Sequence, residues 1–579
     1  AAAILRARSF FIQILNEVLA RHILRKLGLP ITCALYIGGG KFTLLLPSSA
    51  KDRLSGMRAE MSKVVRQGIG LELVMAWTPL VPRDFQLPPE TKNRNEQLPG
   101  IAIKLHDVLE RELARQKMRK LSDLDEAELV KFFAPKGLGG RAEDSSSPTV
   151  VCNVCGREVP RTEIKLVEDV RFCRLCSELK DLGDQLKRAR YLRLRAIEPQ
   201  SLRTESPTLS ELLRALGFAL EVWTDPPAAP EPSAVVWGLV EPEADISLEK
   251  LCGPSQAAGR RFLANFVPLV KDEKELAEIR EIFEKSKRVE EVEGLGVGDV
   301  KHFGILARQA RGAPYIAVLR MDMDNLGRVF GLPPCPNDKN HVVRGLGRFV
   351  TLSRIATLSF FVSLFFEGWV EKIAKDMEKD GHDRLYAVYS GGDDLCFVGS
   401  WDAVFDFAYR VRRDFARFAA REDLGVSAGI YFCHEKYPLF LAARKADEAQ
   451  ERAKHLRDKK DALSFLGLEV GWEQFEGLQK RAEQLISFVR EGRLPREVLR
   501  RVLELYEQYR RERDKRGEWG PWVWRAEYWL ARFCERAKDE EVKTWVEGKM
   551  KAELGGERFS ENTVVWALAA RWAELATRR

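Results

Sequence analysis

The chain has 579 residues, a formal net charge of +8 and an apolar fraction of 45%. One hydrophobic core cannot serve this length, so we expect three or four domains of an ordinary globular protein rather than a fibrous or disordered chain. The ten cysteines are too few for a disulfide scaffold, and no apolar run is long enough to span a bilayer. These features favour a cytoplasmic protein with reduced thiols. The mildly basic charge is compatible with nucleic acid without requiring it.

The first predicted elements are a helix over 9–22, two short strands within 35–46, a helix over 50–68 and a strand over 71–75. The two strands flank Gly38-Gly39-Gly40-Lys41, where glycines permit the positive φ angles of a tight hairpin. Gly39, Gly40 and Lys41 are candidate nucleotide-binding residues, because a lysine offers a positive charge to phosphate. The N-terminal residues lack the pattern of a leader peptide.

Four cysteines follow a Gly/Ser-rich stretch at 137–148, which predicts a linker. Cys152 and Cys155 form one Cys-x-x-Cys pair, and Cys173 and Cys176 form another. Two such pairs at this separation predict a structural Zn²⁺ site with all four positions filled by thiolate. The alternatives are four unrelated thiols or a redox pair, although nothing nearby resembles a thioredoxin-type unit. A Pro-rich stretch at 225–233 predicts a second linker.

An apolar strand over 315–323 ends in alternating acids. The alternation places Asp322 and Asp324 on one face and Met323 on the other. Asp322 is a candidate metal ligand, because Mg²⁺ prefers carboxylate oxygens and substrate phosphates. The alternative is an ordinary strand-end residue or a helix cap.

A helix over 359–374 precedes the most informative segment, Ser390-Gly391-Gly392-Asp393-Asp394. Strands predicted over 385–389 and 395–398 flank it, which indicates a hairpin with two acids at its tip. Adjacent carboxylates repel each other unless a cation lies between them, and Mg²⁺ or Mn²⁺ with a nucleotide triphosphate is the natural candidate. A Gly-Gly-Asp-Asp surface turn that meets only water is the alternative.

The remaining chain is predicted as a helix over 401–420, a strand over 426–432, a helix that ends near Lys454 and a strand over 462–466. Lys454 could reach a triphosphate or could be an ordinary solvated lysine. Beyond residue 472 the pattern is helical, with amphipathic runs rich in Arg, Glu, Leu and Trp.

The two Gly-Gly segments indicate an internal duplication. Each has a helix upstream, the order strand, Tyr-x-Gly-Gly, strand, and then a helix and a strand downstream. Asp393 and Asp394 of the second copy correspond to Gly40 and Lys41 of the first, which therefore cannot hold a divalent metal. The first copy begins at its helix, without the opening strand.

In combination and order, these segments resemble the large signature subunit of type III-A, Csm-type CRISPR effector complexes, the cyclic oligoadenylate synthase. The resemblance implies an α+β multidomain fold with two ferredoxin-like palm domains, a zinc-binding domain between them and an all-α C-terminal domain. The corresponding boundaries are 1–136 for a degenerate first palm, 137–300 for the linker and zinc domain, 301–471 for the second palm and 472–579 for the helices.

The resemblance also implies a chemistry. The 3′-hydroxyl of one ATP would attack the α-phosphate of another, with Asp322, Asp393 and Asp394 as catalytic metal ligands and the Met323 carbonyl as a further one. Ser390, Gly391, Gly392, Asn325 and Lys454 would lie near the nucleotide. No protein nucleophile is needed when metals and positioning perform phosphoryl transfer.

The implied partners are other Csm-type subunits, the crRNA 5′ handle and a target RNA that switches the synthase on, without a membrane. Family members usually begin with a histidine–aspartate nuclease domain, for which we find no room, so we expect no DNase activity. A GGDEF-like cyclic dinucleotide synthase and a non-catalytic ribonucleoprotein scaffold are the rival hypotheses.

Overall fold

A computed structural model of the chain describes residues 2–578 apart from 87–99, 123, 134–148, 168–169, 203, 205, 226–233, 240–256, 331–345, 347–348, 378–383, 518–519 and 556–558. The linker predicted at 137–148 lies outside these residues, as does all but Asp225 of the one at 225–233. None of the helices described is long and apolar enough to cross a membrane.

Seven helices and ten strands are described before residue 266. They are α1 (Ala2–Leu27), β1 (Ala34–Gly38), β2 (Lys41–Leu44), α2 (Lys51–Ile69), α3 (Gly100–Ile103), α4 (Leu109–Met118), α5 (Glu126–Phe133), β3 (Thr149–Val151), β4 (Glu158–Pro160), β5 (Ile164–Val167), β6 (Val170–Cys173), α6 (Arg174–Leu186), β7 (Tyr191–Ala196), α7 (Leu209–Ala215), β8 (Phe218–Trp223), β9 (Ala234–Leu239) and β10 (Ala257–Arg261).

The elements described after residue 266 include a six-stranded sheet and a helical C-terminal part. They are α8 (Glu273–Lys285), α9 (Phe303–Arg308), β11 (Ile316–Met323), α10 (Leu326–Val329), α11 (Leu352–Ser363), α12 (Val370–Asp376), β12 (Leu385–Gly391), β13 (Asp394–Ser400), α13 (Trp401–Ala419), β14 (Val426–Cys433), α14 (Leu439–Lys454), β15 (Ala462–Phe465), β16 (Leu468–Gly471), α15 (Trp472–Arg490), α16 (Arg496–Arg516), α17 (Pro521–Arg536), α18 (Glu540–Trp545), α19 (Ala552–Leu554) and α20 (Phe559–Thr577).

The chain divides into two compact units. The first contains Ala1–Asn265, Leu326–Lys372 and Val388–Asp393, and the second contains Phe266–Asn325, Ile373–Ala387 and Asp394–Arg579. The α+β class expected from the sequence is confirmed, whereas the number of palms and the four domain boundaries stay predictions.

In the first unit, β1 and β2 form an antiparallel hairpin that is followed by α2. The strand predicted at 71–75 is wrong, because residues 71–80 have no strand assignment. Arg66 of α2 instead donates two hydrogen bonds of 3.0 and 3.1 Å to Glu72. This pairing links the segment to the end of α2.

Helix α1 is the central element of the first unit. Its residues Phe10, Ile14 and Val18 are buried in a core shared with α2, α6, α7 and β7. A Cβ on Gly183 of α6 would lie 2.2 Å from the Ala3 carbonyl oxygen, so only glycine permits this approach of α6 to α1. A separate sheet in this unit has the order β10-β9-β7-β8.

The six-stranded sheet has the order β12-β13-β11-β14-β15-β16. β11 pairs antiparallel with both β13 and β14, and β15 runs parallel to β14. The order of its first four strands is that of a ferredoxin-like βαββαβ domain. The predicted strands at 385–389, 395–398, 426–432 and 462–466 are confirmed, and β16 was missed.

The C-terminal helices pack on α13 of the same unit through aromatic side chains. Phe405 of α13 stacks on Trp572 of α20 with ring centroids 4.6 Å apart, and Phe475 of α15 lies 6.0 Å from the same indole. The described residues after Trp472 form helices and no strand, as the sequence predicts.

Replacing Lys301 with methionine should strongly destabilise the second unit. Lys301 Nζ lies 2.5 Å from Glu275 Oε1, and the two side chains are 0% and 4% exposed. Removal of one partner leaves a buried charge uncompensated, so we expect a loss of about 3–5 kcal/mol in the free energy of unfolding by urea. The double variant Lys301→Met/Glu275→Leu should recover part of this loss, and an equally large loss in the double variant would contradict the explanation.

Acid should destabilise the first unit through His22. This buried ring lies with Nδ1 2.8 Å from the Leu216 carbonyl oxygen and Nε2 without a hydrogen-bond partner. Burial lowers the pKa of His22, so the folded state binds a proton less readily than the unfolded state. The stability is complete above about pH 6.5 and is lost as the pH falls through the folded pKa, by at most about 1.4 kcal/mol per pH unit.

Unfolding of the wild type and His22→Gln between pH 7 and 5 tests this linkage. The free energy of unfolding should decrease less steeply in the variant. Parallel profiles would show that His22 does not contribute.

Candidate active site and metal centre

The end of β11 carries the first candidate ligand. Asp322 lies opposite Asp394 of β13 and opposite Ser427 of β14 in the strand register. Directly opposite residues on antiparallel strands share a face, with Cβ atoms about 4.5–5.5 Å apart. The structure thus brings Asp322 beside Asp394, as the sequence hypothesis requires. These carboxylates are 24% and 33% exposed, so small ligands can reach them.

Lys454 balances the charge of Asp322. Its Nζ lies 2.7 Å from Asp322 Oδ2 and 3.0 Å from Glu451 Oε1. Burial opposes the charged ammonium, but the bonds to Asp322 and Glu451 outweigh it and raise the pKa of Lys454 above its usual value. The ammonium group of Lys454 therefore binds Asp322, a predicted metal ligand, instead of projecting into solvent.

Close packing of α14 on β14 places Lys454 there. A Cβ on Gly429 would lie 2.2 Å from both the Ala446 carbonyl oxygen and the Gln450 nitrogen, so only a glycine lets the helix approach the strand this closely. Lys454 then ends the helix near the last residues of β11.

Arg320 and Asp447 are charged neighbours that the sequence analysis missed. Arg320 Nη2 lies 3.6 Å from Asp394 Oδ2 and 3.3 Å from Asp447 Oδ1. Two signals could have found them: Arg320 precedes Asp322 by two residues on the same strand face, and Asp447 precedes Lys454 by two helical turns. Asp322 and Asp394 thus each have a basic partner.

Asp324 has a structural role. It is 1% exposed, and its Oδ2 accepts hydrogen bonds of 2.9 Å from the Ser427 hydroxyl and the Asp461 backbone N–H. Burial raises its pKa to about 6. The next residue, Asn325, has a φ of 59°, so the backbone turns away from the direction of β11 here.

The Gly-Gly-Asp-Asp segment forms the predicted hairpin. β12 ends at Gly391, β13 begins at Asp394, and Gly392 between them has a φ of 67°. The buried hydroxyl of Ser390, a candidate nucleotide contact, donates a hydrogen bond to the Phe366 carbonyl oxygen. It therefore fixes the end of β12.

The Gly-Gly segment of the first copy is also a tight hairpin turn. Gly39 and Gly40 have φ angles of 55° and 75°, as a two-residue turn of this type requires. Lys41 forms an ion pair with Glu110 of α4 and is half-exposed.

Tyr36 connects the two glycine turns within the first unit. Its hydroxyl oxygen would lie 3.4 Å from a Cβ on Gly39 and 3.5 Å from one on Gly392. Both glycine turns therefore lie close to one phenol group.

The four cysteines form a candidate metal centre. The Sγ atoms of Cys152, Cys155, Cys173 and Cys176 lie within 4.8 Å of one another, and no other group of three or more His, Cys, Asp or Glu residues in the described chain meets that limit. The Sγ atoms of Cys155 and Cys173 are 3.8 Å apart. Metal–sulfur bonds of about 2.3 Å in a tetrahedron require about this separation.

The local environment of the thiols also suits a metal. The Cys173 backbone N–H donates to Cys152 Sγ at 3.3 Å, as second-shell donors do around bound thiolates. Hydrogen bonding among the crowded thiols lowers the pKa of Cys155 and raises those of Cys173 and Cys176. One cysteine is thus favoured as a thiolate while its neighbours are kept protonated. A bound divalent ion would allow all four to be thiolates.

The sheet order is that of a palm-type domain, and two protein-family models match parts of the chain. Residues 315–464 match the Cas10/Cmr2 second palm domain, and residues 1–135 match Csm1 subunit domain B.

Curated relatives carry the name CRISPR system single-strand-specific deoxyribonuclease Cas10/Csm1 (subtype III-A). The protein from Methanocaldococcus jannaschii is 25% identical over 84% of this chain and 60% of its own length. The protein from Mycobacterium tuberculosis is 27% identical over 82% of this chain and 52% of its own length. The chain thus spans between half and two thirds of these relatives.

A solved Csm1–Csm4 cassette in complex with cA4 has the same fold, with a TM-score of 0.63 and 19% identity over 100% of this chain and 67% of its own. The chain is thus similar over most of its length to the Cas10/Csm1 proteins of subtype III-A CRISPR systems.

Replacing Cys173 with serine should abolish metal binding at the cysteine centre, because a tetrahedral site that loses one of four thiolates loses much of its affinity. Elemental analysis of the purified wild type should find about one thiolate-bound ion per chain. Cys433→Ser, which removes a buried thiol outside the cluster, is the matched control. Equal metal contents in the wild type and Cys173→Ser would refute the site.

Proposed function

We propose that this chain joins ATP molecules into cyclic oligoadenylate as a subunit of a type III CRISPR effector complex. The observation that carries the proposal is the register of Asp322 opposite Asp394, which places two reachable carboxylates at one edge of a palm sheet. Asp393 lies directly before the second of them in the hairpin turn.

Solved structures of the same fold support the nucleotide chemistry. They are Csm1–Csm4 cassettes in complex with AMPPNP, one ATP, pppApA, pppApApA, cA3 and cA4. This series runs from a single nucleotide through linear chains to rings. We extend it to the present chain on the strength of the shared fold and the acids.

The donor set fits Mg²⁺ or Mn²⁺. Asp322, Asp393 and Asp394 would supply hard carboxylate oxygens, and the Met323 carbonyl would supply a neutral one. When bound, such ions neutralise phosphate charge and polarise the reacting phosphoryl group. Lys454 and Arg320 balance the acids and would be free to turn toward a triphosphate once a cation replaces them.

Backbone groups would complete nucleotide binding. Gly391, Gly392 and Asn325 border the acids in the chain, and Gly392 and Asn325 have the positive φ angles that occur in anion-binding backbone turns. The turn at Gly39 and Gly40, with Lys41 beside it, would hold a second nucleotide in a first, degenerate palm. Its shared contact with Tyr36 supports a common role for the two turns.

The remaining assignments follow from the family. We propose that the cysteine centre holds structural Zn²⁺ in a domain between two palms, since four thiolates leave no open coordination position. The proposed partners are a Csm4-type subunit, the crRNA 5′ handle and an activating target RNA. The name of the curated relatives is that of a single-strand DNase, and our expectation of no DNase activity in this chain stays a prediction.

Asp393→Asn/Asp394→Asn should reduce ATP conversion by at least about 100-fold, because the carboxylate oxygens that hold the metal are lost. The assay incubates the assembled complex with target RNA, Mg²⁺ and either ATP or GTP, and identifies products by mass. Asp376→Asn, which changes a partly exposed acid paired with Arg410, is the matched control and should retain full activity.

The rival functions predict different outcomes. A cyclic dinucleotide synthase of the GGDEF type would yield products from GTP alone. A scaffold would show no nucleotide product in the wild type and the same assembly in every variant. Either outcome would overturn the proposal.

A further inference from the structure

The four-stranded sheet of the first unit has an open edge at β8. The strand order β10-β9-β7-β8 places β8 at the end of the sheet. It pairs antiparallel with β7 along its whole length, and no other strand described in the chain pairs with it. One side of β8 is therefore available for a further strand.

The backbone polar groups of β8 divide into two sets. The carbonyl oxygens of Gly217 and Trp223 each accept a hydrogen bond of 2.9 Å from a backbone N–H next to an end of β7. In an antiparallel pair, alternate residues bond to the neighbouring strand. The odd-numbered residues of β8 therefore face β7, and the N–H and C=O groups of Leu220 and Val222 point to the open edge.

A groove of about 400 Å³ runs along this edge, between β8 and the helices α6 and α7. Residues 220–223 all line it. Because successive side chains of a strand point to opposite faces, a groove that four consecutive residues line must follow the edge of the strand rather than one face. The buried side chains of Leu182 and Leu213 form its apolar floor.

The lining of the groove is acidic. It contains Glu178 and Asp181 of α6 and Glu221 of β8, and none of its described residues is basic. Arg193 donates to Glu221 at 2.8 Å and balances its charge. Among the residues that the structure describes, Glu178 and Asp181 form no ion pair. They lie three positions apart on one face of α6, so the groove presents two uncompensated negative charges beside the open edge.

The edge lacks the features that keep strands from pairing with other chains. Natural edge strands are commonly protected by Lys or Pro, and β8 contains neither. Trp223 at its end is 37% exposed and offers an aromatic contact. A second copy of the chain would bring the acids of two grooves against each other, so the charge favours a basic partner.

We propose that β8 binds an extended, basic segment of a partner protein as an added strand. The segment would pair its backbone with Leu220 and Val222, and its Lys or Arg side chains would contact Glu178 and Asp181. This interaction goes beyond the proposed nucleotide chemistry and does not depend on it.

Binding of a fluorescent peptide of alternating Lys and Val residues to the full chain tests the proposal. Two further peptides carry N-methyl groups on all Val or on all Lys amides, so only one of them keeps the amides that face β8. Their affinities should differ at least about tenfold, because main-chain hydrogen bonds supply much of the affinity in strand addition. Equal affinities would show a merely electrostatic association and overturn the proposal.

Variants of the chain test the two parts of the site. Asp181→Lys should weaken peptide binding about tenfold by charge repulsion. Asp184→Lys, which changes an acid of the same helix outside the groove, is the matched control and should bind like the wild type. Val222→Pro removes an N–H that points away from β7, so the sheet should remain and binding should be lost. Wild-type binding by Asp181→Lys or by folded Val222→Pro would contradict the assignment.

Hydrogen exchange of the wild-type chain locates the peptide without any substitution. The amides of Leu220 and Val222 should exchange at least about tenfold more slowly when the peptide is bound, whereas that of Glu221, which faces β7, should not change. Unchanged exchange at Leu220 and Val222 would overturn the proposal. Displacement of the peptide by an equal concentration of spermine would identify a small polycation as the ligand and would also overturn it.

Discussion

The register of β11 between β13 and β14 is the constraint on which the candidate site depends. Residues Ile316–Leu319 of this strand are 0–1% exposed, so its apolar side chains fix the pairing from within the core. Because side chains alternate, a slip by one residue would move Asp322 to the opposite face of the sheet. The same slip would separate Arg320 from Asp394 and Asp322 from Lys454. The register that buries the apolar side chains therefore also places the acids side by side.

In the first unit, a different constraint positions the glycine turns. Gly39 and Gly40 of one turn and Gly392 of the other have positive φ angles, which glycine adopts without strain. A Cβ on Gly391 would lie 3.2 Å from Gln13 Nε2, so a larger residue there would have to displace that side chain. The turns therefore depend on glycine mainly for their backbone conformation.

The sequence predicted those features that local patterns determine. Two glycines between apolar runs gave the hairpin, alternation gave β11 and its terminal acid, and cysteine spacing gave a cluster whose sulfurs lie together. It did not predict Arg320 beside Asp394, because this contact joins residues 74 positions apart and depends on tertiary packing. The strand expected at 71–75 does not form, and Glu72 in this segment is paired with Arg66 of α2. The roles of the candidate residues in binding nucleotide stay predictions.

The two basic side chains beside the acids have a consequence for how the site responds to its surroundings. An ion that arrives at Asp322 meets a carboxylate already satisfied by an internal ammonium, so binding is an exchange of cations and not a simple capture. Such a site keeps its shape when empty, since no repulsion between bare acids has to be relieved. A site that binds a metal as proposed would discriminate by charge density. A monovalent ion would gain too little from the acids to displace a lysine, whereas a divalent ion accompanied by phosphates would give the displaced lysine a new anionic partner.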